Sequence, residues 1–148
     1  NKVIFKSLIK SGIISGYSDH DIKINNRFFL GGSSFRGFET SGIGPRDSDG
    51  ASLGGKYFIK STLEIIFPLG LPEELGFKGS IFSDIGTLTA IDNDSNDISD
   101  NASLRLSTGV GIAWESPLGP IRFDYAKAQI KEDYDELETF RINFGTRF

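Results

Sequence analysis

The chain of 148 residues contains no cysteine and no methionine. Without cysteine it has neither disulfide bonds nor thiolate metal sites. No segment approaches the roughly 18 consecutive apolar residues of a transmembrane helix, so none is expected. Lysines interrupt the first 18 residues, which predicts that no signal peptide is present. Because no methionine stands at the start or elsewhere, we expect a piece of a longer protein or a processed product.

Residues suited to catalysis or metal binding are also scarce. His20 is the only histidine, and no Ser–His–Asp set or metal-ligand cluster is apparent from the spacing. Residues 92–100 begin like a calcium loop, but Asp97 stands where glycine is needed and Ser103 where a bidentate glutamate is needed, so they are interpreted as a solvated loop tip. The net charge of −4 weakly disfavours nucleic acid as a partner. We therefore expect no enzymatic activity, no catalytic residue, no cofactor and no metal.

What the chain does contain is alternation of apolar and polar residues. Period-two alternation is the pattern of a β-strand with one apolar and one polar face. Phe82 breaks the pattern in one segment, and the parity blurs after Tyr125. The pattern predicts six strands, in residues 3–13, 56–67, 77–88, 103–115, 121–125 and 137–148.

The connections between these strands alternate in length. Residues 70–76 and 116–120 form tight turns rich in glycine and proline, whereas residues 15–54, 89–102 and 128–136 are longer and polar. Strands of about 9–11 residues with short turns at one end and long loops at the other are typical of outer-membrane barrels. The pattern predicts an all-β fold, an antiparallel transmembrane β-barrel. Six strands are fewer than the roughly eight that close such a barrel, so we expect further strands on the N-terminal side.

A soluble antiparallel sandwich or small calyx would also give alternation. An exposed sheet face would tolerate the charged residues of the polar parity. The apolar face would then need a second sheet to cover it, and no segment clearly supplies one. In a membrane barrel lipid covers that face, so the pattern favours the barrel.

The loop in residues 31–46, GGSSFRGFETSGIGPR, is rich in glycine and carries Arg36 between Phe35 and Phe38. So many glycines together with apolar residues predict a loop folded tightly on itself. A buried arginine needs a carboxylate partner. Glu64 and Asp84 lie on the polar parity of two strands joined by a tight turn, so they are candidate partners. The alternative is that both are ordinary lumen-facing charges in water.

Five stretches together resemble the BamA family of outer-membrane-protein assembly factors, most closely its alphaproteobacterial forms. The combination of the Arg-Gly-Phe loop, the SPLGP turn and the terminal aromatic residue is specific, whereas a terminal phenylalanine alone indicates only an outer-membrane protein. The matching stretches are residues 31–46, 53–76, 81–88, 109–126 and 138–148.

The resemblance implies a sixteen-stranded barrel preceded by periplasmic POTRA domains. Residues 1–148 would supply its last six strands, without the N-terminal strands and the POTRA domains. The loop would be the sixth extracellular loop, which folds back into the lumen. Its latch would consist of Phe35, Arg36, Gly37 and Phe38 of the loop and Glu64 and Asp84 of the wall.

The resemblance also implies a function without enzymatic chemistry. The last strand would border a lateral seam through which client β-barrel proteins enter the outer membrane, and Gly145 is the position at which that strand bends inward. The partners would be outer-membrane lipid, unfolded clients and accessory lipoproteins, with no nucleic acid. Alternatives are a two-partner secretion transporter of the same superfamily, a diffusion porin and a soluble binding module. The seam residues would be Phe140, Ile142, Phe144, Gly145 and Phe148.

Overall fold

The computed structural model describes residues 2–17, 22–89, 98, 100 and 103–145. The strands are β1 (Ile4–Ile13), β2 (Gly37–Phe38), β3 (Tyr57–Pro68), β4 (Phe77–Thr89), β5 (Arg105–Ser116), β6 (Gly119–Ile130), β7 (Leu137–Glu138) and β8 (Phe140–Phe144). Six of them form one antiparallel sheet in the order β1-β3-β4-β5-β6-β8, and β2 and β7 form a separate two-stranded ladder. Two short 3-10 turns, Ile24–Asn26 and Glu73–Leu75, complete the regular structure of the described residues.

The all-β antiparallel fold predicted from the alternation is confirmed. The strand predicted at residues 121–125 is longer than its alternation indicated, because β6 begins at Gly119, after the two-residue turn Pro117–Leu118. Ser116 Oγ closes that turn by donating to the Gly119 carbonyl oxygen at 2.6 Å. Within the described part of the chain, no helix is long and apolar enough to cross a membrane.

The last predicted strand, residues 137–148, differs from expectation. Leu137 and Glu138 leave the sheet and pair with β2 instead of β6, so the strand that the structure describes at the sheet edge is Phe140–Phe144. The apolar–polar parity reverses at Leu137 and Glu138, a signal that the sequence interpretation overlooked, and the preceding loop is held on the inner side of the sheet. Phe148, His20 and residues 92–97 lie outside the described residues.

The two faces of the sheet differ as the alternation predicts. Opposed pairs such as Ile65–Ile81 and Val110–Tyr125 lie on the outer face, where Ile81, Val110 and Tyr125 are more than half exposed. On the other face, charged side chains such as Arg105 and Asp84 are almost completely buried. An outer face of this kind requires lipid, and the inner face requires a cover of its own.

That cover is the long segment between β1 and β3. Its ends are tied by a bridge between Phe28 and Gly55, and its tip is tied by a bridge between Leu30 and Ile43. The buried apolar core lies between this segment and the inner face of the sheet, not between two sheets. It consists of Leu30, Phe35, Phe38, Ile43 and Leu88, flanked by Phe28, Phe58 and Ala128.

Candidate functional site

The loop turns back on itself immediately before Arg36. Ser34 Oγ donates to the Gly31 carbonyl at 2.8 Å and accepts from the Gly31 N–H at 3.1 Å, which closes a tight turn. Gly37 follows with φ of +93°, and a Cβ at this position would lie 3.0 Å from Ser107 Cβ on β5. Glycine therefore lets the loop backbone lie directly against the sheet. This contact brings Arg36 to strands β3 and β4.

Arg36 binds both carboxylates that the parity argument selects. Its Nε donates to Asp84 Oδ2 at 2.9 Å and its Nη2 donates to Asp84 Oδ1 at 3.1 Å, while Nη1 donates to Glu64 Oε2 at 2.9 Å. The Arg36 backbone N–H adds a third bond to Asp84 Oδ2 at 3.0 Å. Thr62 Oγ1 also donates to Asp84, at 2.6 Å. All of these side chains are buried, so the structure brings the predicted trio together.

The electrostatics of Arg36 reflect this environment. Burial alone would lower the pKa of Arg36, but the hydrogen bond and charge of Asp84, followed by the charge of Glu64, raise the pKa above its ordinary value. The guanidinium is therefore firmly cationic. Removing one partner of such a buried pair leaves an uncompensated charge and typically costs about 3–5 kcal/mol.

Phe82, the residue that breaks the alternation of β4, lies directly under this guanidinium. The Arg36 Cζ is 3.6 Å from the centroid of the Phe82 ring, which is a cation–π geometry. The ring is 2% exposed and occupies the polar face beside Glu64, its partner across the ladder. The apparent defect in the pattern is thus the aromatic floor of the site.

The loop has further anchors beside Arg36. Phe35 and Phe38 are completely buried and contact each other edge to face, with ring centroids 5.2 Å apart. Lys60 Nζ donates to the carbonyl oxygen of Ser34. We name the group formed by Phe35, Arg36, Gly37 and Phe38 of the loop with Glu64 and Asp84 of the wall the loop latch.

Arg122 on β6 extends the latch, and its role was not identified from the sequence. Its Nη2 lies 2.7 Å from Glu64 Oε1, and its Nε donates to Asp124 Oδ1 at 2.8 Å. Glu64 is therefore shared between an arginine of the loop and an arginine of the wall. Arg122 Cζ also lies 5.9 Å from the Phe82 ring centroid. The only signal in the sequence was the inward parity of Arg122 and Asp124.

The predicted seam residues lie at the edge of the sheet. Phe140, Ile142 and Phe144 of β8 point to the outer face and are 55%, 41% and 69% exposed. Gly145 has φ of +67°, which interrupts the extended conformation, although its N–H still donates to the Pro120 carbonyl at 2.9 Å. Among the described residues, no atom lies within 4 Å of where its Cβ would be.

Comparison with known proteins identifies the group to which this architecture belongs. The family model for the Omp85 superfamily domain matches residues 1–148. The outer membrane protein assembly factor BamA of Neorickettsia risticii is 38% identical over 146 residues, which cover 98% of this chain and 20% of that protein. BamA of Neisseria meningitidis is 30% identical and is matched by 93% of this chain over 21% of its own length. The chain thus spans about a fifth of these relatives.

A solved structure of a related barrel has the same fold. The crystal structure of BamA from Haemophilus ducreyi lacking POTRA domains 1-3 superposes with a TM-score of 0.82 at 24% sequence identity, covering 95% of this chain and 31% of that one. The barrel fold and the outer-membrane location predicted from the sequence are confirmed by these matches. On the strength of the family model over its whole length, the chain belongs to the Omp85 superfamily.

Proposed function

We propose that the barrel containing this chain assembles β-barrel proteins and inserts them into the outer membrane through a lateral seam bordered by β8. The relatives named outer membrane protein assembly factors support assembly in general. The seam is a finer proposal that rests on the construction of the sheet edge.

The observation that carries the proposal is the weak attachment of β8. In the described part of the chain its register with β6 covers Phe140–Phe144, flanked by single backbone bonds at Thr139 and Gly145, whereas each of the other ladders of this sheet pairs at least ten residues. The positive φ of Gly145 interrupts its extended conformation. A short ladder next to a residue with positive φ is easier to separate than a full-length one, because fewer ladder hydrogen bonds are broken.

An opened edge presents unpaired N–H and C=O groups to which a client strand can add by β-augmentation. Unpaired backbone groups in hydrocarbon cost several kcal/mol each. Pairing of the open edge with a client strand from the periplasm would therefore be strongly favourable. The free energy would come from burial of the client's own apolar surface in lipid. We propose that the process involves no covalent step.

The loop latch has a supporting role in this proposal. It fixes the loop against β3, β4 and β5, so the wall beside the seam would keep its shape while β8 moves. We further propose outer-membrane lipid, unfolded client proteins and accessory lipoproteins as partners. Lipid would contact the apolar outer face, and the clients would contact the free edge of β8.

A disulfide lock tests the seam. The chain has no cysteine, so one cysteine in β8 and one in the strand across the seam of the complete barrel would be the designed pair. We expect oxidation to stop the assembly of client barrels in a host depleted of its own assembly factor, and reduction to restore it. The matched control is Thr108→Cys with Lys127→Cys, a directly opposed pair in the β5–β6 ladder.

The control lock should leave client assembly intact, because it crosslinks strands that need not separate. Normal client assembly under the seam lock would contradict the proposal. Blocked export of a secreted polypeptide with normal client assembly would favour the two-partner secretion transporter instead.

A further inference from the structure

A second buried ion pair lies outside the loop latch. Arg105 on β5 donates from Nε to Asp135 Oδ2 at 2.9 Å and from Nη2 to Asp135 Oδ1 at 3.1 Å. Both side chains are completely buried. A bidentate pair of this kind fixes orientation as well as position, since the planar guanidinium matches the carboxylate at two points.

The pair belongs to a small network that orders the connection between β6 and β8. Asp135 Oδ2 accepts the Glu132 N–H at 2.9 Å, and Arg105 Nη2 donates to the Tyr134 hydroxyl at 3.3 Å. Ser103 Oγ is hydrogen-bonded to Glu132. Residues 131–139 are thereby held on the inner side of the sheet, at the end where the long loops lie.

The loop of residues 31–46, which we call the latch loop, binds at the same end of the sheet. Gly37 and Phe38 of β2 pair with Glu138 and Leu137 of β7. The ladder continues with the Glu39 N–H donating to the Glu136 carbonyl, and the Glu136 N–H donating to the Gly42 carbonyl, both at 3.0 Å. One side of this ladder adjoins Arg36, and the other continues into β8 within two residues.

A side chain of β8 adds to this connection. Arg141 Nη1 lies 3.1 Å from Glu138 Oε1 and donates to Thr40 Oγ1 of the latch loop at 3.4 Å. The latch loop and the terminal strand are therefore linked by backbone pairing and by a side chain.

We propose that Arg105 and Asp135 are positioning residues that hold residues 131–139 in the barrel mouth, so that the Arg36 loop pairs with β7 and is tied to the terminal strand. Docking of the loop and attachment of β8 then depend on each other. The consequence for the seam rests on the proposed function, whereas the pairing itself does not.

Disulfide trapping of the β2–β7 ladder tests the proposal in the outer-membrane protein. Glu39 and Glu136 are opposed in this ladder and have exposed side chains, and directly opposed residues lie within disulfide range. Glu39→Cys with Glu136→Cys should crosslink efficiently on oxidation. Adding Asp135→Asn should lower that yield several-fold, while the Thr108→Cys/Lys127→Cys control in the β5–β6 ladder keeps its yield.

A second variant guards against simple misfolding. Asp135→Asn leaves the Arg105 charge buried without its carboxylate, whereas Arg105→Gln with Asp135→Asn removes both charges and should lower the β2–β7 yield equally. Arg36→Ala should lower the β2–β7 yield as well, because this substitution releases β2, which directly follows Arg36.

An unchanged β2–β7 yield in the double variant would overturn the proposal. Equal loss at the β5–β6 control would overturn it too, by assigning the pair to general stability. An unchanged yield in Arg36→Ala would show that loop docking and β7 are independent. None of these measurements requires client assembly, so they can fail separately from the proposed function.

Discussion

The wall around Arg36 and the edge strand β8 belong to one sheet, yet they are held in opposite ways. Around Arg36, the loop meets side chains of three strands: two buried carboxylates and an aromatic ring on β3 and β4, and a second arginine on β6. At β8 the inward side chain Arg141 is about 30% exposed, and its ion pair with Glu138 is local in sequence. The difference teaches that buried side chains crossing between elements add to the ladder hydrogen bonds that hold a strand in place.

Removing the central cation should have the largest effect. Arg36→Ala leaves Glu64 and Asp84 buried without it, so we expect a loss of about 3–5 kcal/mol in the stability of the docked loop. Protease accessibility of the loop in whole cells should rise. For comparison, Arg141→Ala removes a partly exposed ion pair and one long bond to Thr40 of the same loop, and should cost less than about 1 kcal/mol. An unchanged digestion pattern for Arg36→Ala would contradict the latch.

The two carboxylates should not be equivalent. Asp84 accepts three bonds from Arg36, whereas loss of Glu64 still leaves Arg36 paired with Asp84 and Arg122 paired with Asp124. We expect Asp84→Asn to cost about 3 kcal/mol and Glu64→Gln about 1.5 kcal/mol, on the scale of charged hydrogen bonds. Thermal unfolding of the purified barrel measures both. Equal losses would mean that Arg122 does not compensate.

The aromatic floor should contribute less. Phe82→Leu removes the ring beneath Arg36, and we expect a loss of about 1–2 kcal/mol from the cation–π contact and the altered packing. The control is Phe123→Leu, since Phe123 lies on the outer face opposite Ile112. Urea unfolding should separate the two variants. If both variants lose the same free energy of unfolding, the contact between Phe82 and Arg36 adds no measurable stability.

The smallest change concerns the end of β8. Gly145→Ala forces a side chain into φ of +67°, which costs about 1 kcal/mol. Gly70→Ala is a close control, because Gly70 has φ of +75° and equally open space around its Cβ position. Both should lose similar stability, but only Gly145→Ala should change amide exchange in β8. Equal exchange in the two variants would remove the argument that Gly145 governs the edge.

Much of the site could be predicted because strand parity is a local property. Parity placed Glu64 and Asp84 on the same face of adjacent strands, and the register then puts Asp84 directly opposite Thr62. The same reasoning treated Phe82 as a defect, since one strand does not reveal what lies over it. Arg122 was assigned the correct face without a partner, because its contact with Glu64 spans two intervening strands.

Residues 137–144 show most clearly what strand parity cannot predict. Leu137 and Glu138 reverse the parity of Phe140–Phe144, and these two residues leave the sheet to pair with β2. The reversal marks a break in the strand, but it does not show which element the two residues pair with, because the backbone is extended in either case. In the structure Arg105 binds Asp135, thirty residues away along the chain, a contact that no local pattern reveals.

By itself, the sequence determined the strands, their two faces and the all-β membrane architecture, because a period of two and the lengths of turns are written in neighbouring residues. Only the tertiary structure decided which charges meet, which ring lies under Arg36 and where β8 begins. Those outcomes depend on register and on a loop folding back across the sheet. Both are set by contacts between residues distant in sequence, and these contacts contribute to stability only once the whole sheet has formed.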